Sequence, residues 1–532
     1  MLDLLIDTIP EFSVRARTVR ANIYRWAWLL GMIGLSGVIG LLMLRAGPSP
    51  FFIALLLFLL GLGAIFYQPR YGLYLILSFG LAGDGVLTPW FPFIKNFSSR
   101  ESILFIHDSA IISPLEVYIA AIFISWLGRG IGQRKITFSR KPIIWLGVIF
   151  LLFVIFGLIY GIGTGGNYNI ALWEARPLFY LAALLFLSGN LLEKREHVSH
   201  LIWAAMLGIF FEALYGTLSI LLQYKGSLPG INALTDHSAA IHMNTVFVLA
   251  FASWIYKTKP QMRFVLTLMV PIVLVSYIAN QRRAAMIALM LALALMAIIL
   301  FMDNRKLFWV IIPLVALVGV VYLAAFWNSS GALGLPARAV KSTLFPGQAS
   351  ARDQSSNYYR FLENINTSFT IHQRPLTGVG FGQKFYVIVS MADISFFEWW
   401  QYFPHNSIIW IWLKTGVFGF LAMLYFVGSA IMLGTVTTLR MPYNELRAIA
   451  LTATLYLVMH FTFAYVDISW DTQSMLYIGA MVGMLSSMER IVAEPVTLPP
   501  KRWPWQPEPK SPPGLIPFEK EERPREKFSI PF

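Results

Sequence analysis

Apolar residues along this chain come in long unbroken runs separated by short polar connections. A helix needs about 20 apolar residues to cross a bilayer, and runs of that order recur from residue 23 to residue 488. They predict helices at about 23–44, 50–67, 71–88, 113–128, 142–160, 170–189, 199–223, 237–256, 263–279, 284–302, 307–326, 407–435, 446–466 and 472–488. The pattern predicts an all-α integral membrane protein. It is a polytopic bundle of about 12–14 transmembrane helices, with one long extracytoplasmic loop carrying short helices.

Lysine and arginine sort onto alternate connections, which orients the bundle. Arg15, Arg17 and Arg20 precede the first run. Arg129, Arg134, Lys135, Arg140 and Lys141 follow the fourth, and further basic groups lie at 194–195, 257–263, 305–306 and 440–447. The connections at 161–169 and 467–471 hold none or almost none. Both termini are therefore expected in the cytoplasm, consistent with an even helix number. The first run is too long for a signal-peptide core and lacks a small-residue cleavage site, which predicts a retained helix. The expected organisation is a cytoplasmic segment 1–22, helices 1–11 within 23–326, an extracytoplasmic loop 327–406, helices 12–14 within 407–488, and a cytoplasmic tail 489–532. Residues 1–20 are a candidate amphipathic helix on the membrane surface. Proline and both charge signs alternate through the tail, a composition expected to be disordered.

Composition agrees. Hydrophobic residues make up 57% and charged residues 13%, against about 45–50% and about 25% in soluble domains, so the excess apolar surface must face lipid. A net charge of +14 fits a nucleic-acid binder in isolation, but the basic connections account for it. With no cysteine, disulfides, thiolate metal sites and cysteine nucleophiles are excluded. No HExxH, no carboxylate-rich cation motif and no Walker loop occurs. Gly378-Val379-Gly380-Phe381-Gly382 lacks a following lysine and a βαβ context, so it is expected to form a turn.

Two outer segments break the charge pattern. Asn280-Gln281-Arg282-Arg283 puts two arginines at an outer membrane face, which implies a different topology there, arginines snorkelling to lipid phosphate, or an anion site. The segment 327–406 exceeds an ordinary connection, and long loops are disproportionately functional. It holds Arg338, Arg352, Arg360 and Arg374, a predicted helix at about 356–371, and an aromatic cluster from Phe396 to Phe403. Arg176 lies inside a predicted helix, in Trp173-Glu174-Ala175-Arg176-Pro177, and is costly there unless functional or paired with Glu174 or a backbone carbonyl. His405 opens another in Pro404-His405-Asn406-Ser407, and its ordinary pKa near ~6.5 suits a general base. Arginines facing one pocket suit a diphosphate, because the guanidinium fork pairs its oxygens. Glu212, Lys414, Asp467 and Asp471 are candidates for structural pairs. His237 and His242 are expected to be packing or loop residues rather than ligands.

Three stretches carry a resemblance to a known family. "YIANQRRAAMIALMLALALMAI" is similar to an arginine at the outer start of a helix. "YYRFLENINTSFTIHQRPLTGVGFGQKF" is similar to a loop arginine followed by a short helix and a Pro-Leu-x-Gly-x-Gly turn. "PHNSIIWIWLKTGVFGFL" is similar to a His-Asn-Ser helix start. In this order they resemble the O-antigen ligase and O-antigen polymerase family of bacterial membrane glycosyltransferases, well over about 270–435 and weakly around Arg176. The sequence departs from that family where Asn280-Gln281-Arg282 replaces serines, which leaves Arg282 and Arg283 as alternatives, at Lys414 where an acidic residue is frequent, and in about fourteen helices against twelve.

The resemblance implies inverting transfer of a glycan from an undecaprenyl-diphosphate carrier to an acceptor hydroxyl, at the outer face of the bacterial inner membrane. The acceptor is a glycan, a lipid A core or a protein hydroxyl. No cofactor, metal or nucleotide sugar is implied, and no nucleic acid. The implied roles are His405 as base, Arg283 as catalytic arginine, and Arg176, Arg282, Arg283 and Arg360 on the diphosphate. From the helix count alone, a glycolipid flippase or other transporter is the alternative, although its inverted repeats and midplane polar residues are not evident here. A scaffold would not need basic residues at the outer face.

Overall fold

The computed structural model describes residues 10–132, 138–139, 141–225, 234–329, 331–442 and 444–493. These fold entirely as helices and loops, with no strand among the described residues. Among the described residues, eleven helices precede the long loop: α1 (Pro10–Ala46), α2 (Pro50–Tyr67), α3 (Pro69–Ala82), α4 (Pro114–Gly132), α5 (Pro142–Gly163), α6 (Tyr168–Leu191), α7 (Arg195–Leu222), α8 (Ala239–Ile255), α9 (Pro260–Ala279), α10 (Arg283–Asp303) and α11 (Arg305–Phe326). The loop carries α12 (Leu335–Leu344) and α13 (Ala351–Gln373), and α14 (Ser407–Arg440), α15 (Glu445–Ala464) and α16 (Thr472–Ala493) follow. Among the described residues, 12 helices are long and apolar enough to cross a membrane.

Each of the fourteen predicted segments coincides with a helix, but boundaries move for identifiable reasons. Helix α1 begins at Pro10, so most of the segment expected to lie apart at 1–22 continues into the first span. Helix α3 stops at Ala82 and not near residue 88. Gly83-Asp84-Gly85 ends it, with the Asp84 carboxylate accepting from the backbone of Val86 and Leu87 at 2.8 and 2.5 Å, a local bond that competes with the helix. The charged tail beyond Ala493 lies outside the described residues.

Burial grades from centre to rim. In α15 and α16, 83% of the span residues are buried. Helix α11 buries none of its residues, so its apolar surface is left to lipid. The ends opposite the long loop are tied by charge. Arg447 Nη2 lies 2.6 Å from both Asp303 oxygens, and Lys141 meets Glu489 at 2.8 Å.

The decisive packing event is a break in α14. Gly416 leaves the helix with φ 71° and ψ −178°, a conformation that glycine alone adopts without strain. Its interrupted ladder is completed by the turn after α13. Val379 donates to the Leu413 carbonyl at 2.7 Å, Val417 donates to the Pro375 carbonyl at 3.0 Å, and Trp412 Nε1 to the same carbonyl at 2.9 Å. On its other side the turn presses on α5, where a Cβ at Gly161 would come within 2.1 Å of the Phe381 carbonyl. Beneath it lies a fully buried ion pair, Lys414 Nζ to Glu174 Oε1 at 2.9 Å. The same lysine donates to the Gln383 carbonyl at 2.6 Å, and Glu174 accepts from the Gly382 N–H at 2.6 Å. Glu174 is therefore committed to Lys414 and not to Arg176.

Removing one partner of a buried pair strands a charge, at a cost of about 3–5 kcal/mol. Lys414→Met is expected to lose stability on that scale in detergent unfolding, and the double variant Lys414→Met/Glu174→Gln to recover a large part. Equal stability of single and double variants would remove the coupling.

Candidate functional site

At the end of the bundle that carries the long loop, the chain reverses between α9 and α10 within three residues. Gln281 takes a left-handed conformation, φ 56°, and sets Arg282 as the N-cap and Arg283 as the first residue of α10. Helix α13 crosses in front of them. Its start is capped by Ser350, whose hydroxyl accepts from the Asp353 N–H at 3.2 Å. Asp353, Ser356, Asn357, Arg360 and Glu363 follow at helical three- and four-residue spacing, which puts them along one face.

The two elements meet through charge. Arg283 Nε lies 3.3 Å from Asp353 Oδ1, and its Nη2 donates to Asn357 at 3.3 Å. Arg282 and Arg360 both approach Asp467 Oδ2 at 3.8 Å, while His237 Nδ1 bonds Oδ1 at 2.7 Å. Asp467 stands in the loop between α15 and α16 and is 2% exposed. Burial alone would raise its carboxyl. His237, then Arg282 and Arg360, outweigh that and hold it well below the ordinary carboxylate range. Its neighbour Asp471 has no such cations and is pushed up to about 6 by burial, with Asp236 adding to it.

Arg282, Arg283 and Arg360 line one cavity of about 540 Å³, which Arg338, Lys341 and Arg352 also line. The carboxylates facing it are Asp353 and Asp467. The 3.8 Å contacts are too long for hydrogen bonds, and the Nε atoms of Arg282 and Arg360 are buried without a hydrogen-bond partner. Buried donors left this way are costly. An anion with several oxygens would satisfy them bidentately.

His405 is reached from the same helix. Glu363, one turn beyond Arg360 and 3% exposed, accepts from both the His405 backbone N–H at 2.7 Å and Nδ1 at 2.9 Å through a single oxygen. A carboxylate can only accept, so Nδ1 carries the proton and Nε2 is left as the basic nitrogen. The Tyr359 ring packs edge-on against the imidazole at 5.8 Å. Two residues on, the Ser407 hydroxyl donates to the Asp467 carbonyl at 2.9 Å and accepts from the Ser469 N–H at 3.1 Å. Helix α14 is thereby stapled to the loop that bears Asp467.

Arg176 stands apart. Its Nε meets Glu116 at 3.1 Å, and its other nitrogens donate to Asn96 at 2.9 Å and to the Ile111 carbonyl at 3.1 Å. It shares no contact or cavity with the other four among the described residues. The expected carbonyl partner is present, and Glu116 takes the place expected for Glu174. His237, expected to be a packing or loop residue, stands in the loop before α8 and bonds Asp467 beside Arg282 and Arg360. Glu363 escaped notice, although its spacing three residues after Arg360 on a predicted helix was the available signal.

A polytopic helical membrane protein with a cationic cavity and a carboxylate-held histidine at one end of its bundle is the class this geometry defines. Comparison with known proteins narrows it. Residues 268–424 match the family model described as O-antigen ligase. Over 280 residues the chain is 25% identical to the O-antigen ligase of Salmonella typhimurium (strain LT2), covering 50% of this chain and 62% of that protein. The chain thus spans less than two thirds of that relative's length. Both matches show a similarity to O-antigen ligases, which for the family model lies in the segment 268–424. That segment contains Arg282, Arg283, Arg360, Glu363 and His405, and leaves Arg176 and Asp467 outside it.

The two loop aspartates predict opposite acid responses. Asp467, depressed below the unfolded value of about 3.9, stabilises the fold above that pH, and this contribution fades as pH falls below it. Asp471, raised to about 6, contributes stability below about pH 4 that is lost as pH rises through about 6. In melting curves against pH, Asp467→Asn should lower stability at neutral pH and flatten the acid limb. Asp471→Asn should raise it above about pH 6. Matching profiles for the two variants would contradict these assignments.

Proposed function

We propose that this protein transfers a glycan from a lipid-diphosphate carrier to an acceptor hydroxyl at the outer face of the bacterial inner membrane, with both termini cytoplasmic. The observation that carries this reading is the pairing of two features on α13. Arg360 joins a cavity whose buried guanidinium donors lack partners, and Glu363 fixes His405 one turn away.

In this reading the carrier is undecaprenyl diphosphate and its polyprenyl chain stays in lipid. The diphosphate lies against Arg283, with Arg282 and Arg360 completing the cradle. Arg176, on its own set of partners, serves as a further contact or positions the segment 96–116. The acceptor oxygen attacks the anomeric carbon from the face opposite the diphosphate. One C–O bond forms as the C1–O bond to phosphate breaks, so the configuration inverts. The acceptor's proton passes to His405 Nε2, and Glu363 stabilises the resulting imidazolium in the manner of a triad carboxylate. Negative charge developing on the departing diphosphate is met by guanidinium groups already in place, the electrostatic contribution that is usually largest.

The acceptor is a lipid A core or protein hydroxyl for a ligase, or another carrier-linked repeat unit for a polymerase. Loss of a general base typically costs 10²–10⁴-fold, on the order expected for His405→Ala. Arg283→Ala should also abolish transfer with insertion unchanged, and Glu363→Gln should lower turnover less than His405→Ala does. Complementation of bacterial strains lacking the ligase or the polymerase, read as surface glycan on gels, checks these outcomes. Wild-type turnover by the His405→Ala protein would remove the base assignment, and flux of carrier-linked glycan without bond transfer would replace the whole reading with a transporter.

A further inference from the structure

A second cleft opens at the same end of the bundle and shares no lining residue with the cationic cavity. Its volume is about 750 Å³. The connection between α5 and α6 forms one wall and the stretch after the glycine turn forms the other. Arg374 lies at the C-cap of α13 and Arg360 fourteen residues earlier, so at about 1.5 Å per residue the two sites stand roughly 20 Å apart along that helix.

The cleft floor is built, not incidental. Gln383 donates through its amide to the carbonyls of Gly161 and Thr164 at 3.3 and 3.0 Å, and its own carbonyl accepts from buried Lys414 at 2.6 Å. The Asn167 N–H donates to the Gly382 carbonyl at 2.8 Å. Three tyrosines, Tyr160, Tyr386 and Tyr402, face the space, and no hydroxyl among them bonds to a described residue. Lys384 lies over the Tyr402 ring at 5.3 Å. Arg374 and Lys384 form no ion pair among the described residues, and no carboxylate lines the cleft.

Aromatic faces accept the C–H faces of a sugar ring, while tyrosine hydroxyls and side-chain amides bond its hydroxyls. Two cations without counter-charge select a carboxylate or phosphate on that ring. We infer that this cleft is a binding site for an anionic saccharide, a hexuronate or a phosphorylated sugar, separate from the site of bond transfer.

Full-length protein in nanodiscs is titrated with glucuronic acid, glucose 6-phosphate, glucose and glycerol 3-phosphate, with binding read by saturation-transfer NMR. The two anionic sugars should bind, glucose should bind roughly tenfold more weakly, and glycerol 3-phosphate should not compete. Lys384→Glu and Arg374→Glu, both at exposed positions, should remove binding, and Tyr386→Ala should weaken it. Arg283→Ala should leave it unchanged. Equal binding of glucose, competition by glycerol 3-phosphate as for a lipid headgroup, survival in Lys384→Glu, or loss in Arg283→Ala each overturns the inference. A second arm rests on the transfer reading and identifies the source of the sugar. A raised KM for acceptor in Lys384→Glu assigns the cleft to the acceptor glycan, and a raised KM for donor assigns it to the donor. A lowered kcat with both KM values unchanged overturns the subsite. The binding arm stands even if no transfer is detected.

Discussion

A lysine and a glutamate buried from both water and lipid hold the loop-bearing end of this bundle together. Lys414 sits on the broken helix α14 and Glu174 on α6, and each also bonds the backbone of the glycine turn between them. An isolated charge at that depth is costly. The pair therefore persists only while both helices and the turn keep their places. From the turn, the chain runs to His405 in one direction and back along α13 to Glu363 and Arg360 in the other. The ion pair thus fixes the origin from which the histidine and the arginine cradle are both measured.

A second constraint is electrostatic. Cations gathered in one cavity repel one another, and the structure relieves this with two carboxylates set differently. Asp353 pairs closely with Arg283 at 3.3 Å. Asp467 stands back from Arg282 and Arg360 at 3.8 Å while bonding His237 directly. The arrangement compensates part of the charge and leaves guanidinium nitrogens without hydrogen bonds, so the cluster keeps capacity for an anion.

Much of this was legible in the sequence because a bilayer leaves few choices. Every one of the fourteen apolar runs coincides with a helix, and 12 of these are long and apolar enough to span, since a spanning segment must satisfy its backbone internally. Where the backbone answers to local bonds instead, prediction slipped, as at Asp84, whose carboxylate ends α3 early. Arg282, Arg283 and Arg360 stood out as arginines on the unexpected side of the membrane and do share a cavity. Glu363 and His237 did not stand out, because an acidic residue on a polar helix and a histidine near a helix start are ordinary in isolation. Only folding brings one to His405 and the other to Asp467. Lys414 was visible as a charge inside a helix and Glu174 only as a candidate partner for Arg176, because their pairing spans two helices far apart in sequence and carries no local signal.

The break at Gly416 also makes the shape of one helix conditional on another segment. A helix in lipid satisfies its own backbone most simply by staying straight. The bent form of α14 exists only because Val379 and Pro375 supply the bonds that bending removes. These partners belong to the segment that precedes α14 in the chain. The bend therefore depends on the turn after α13 being docked against α14. A chain whose turn is displaced would lose these bonds, and with them the placement of His405 beside Glu363.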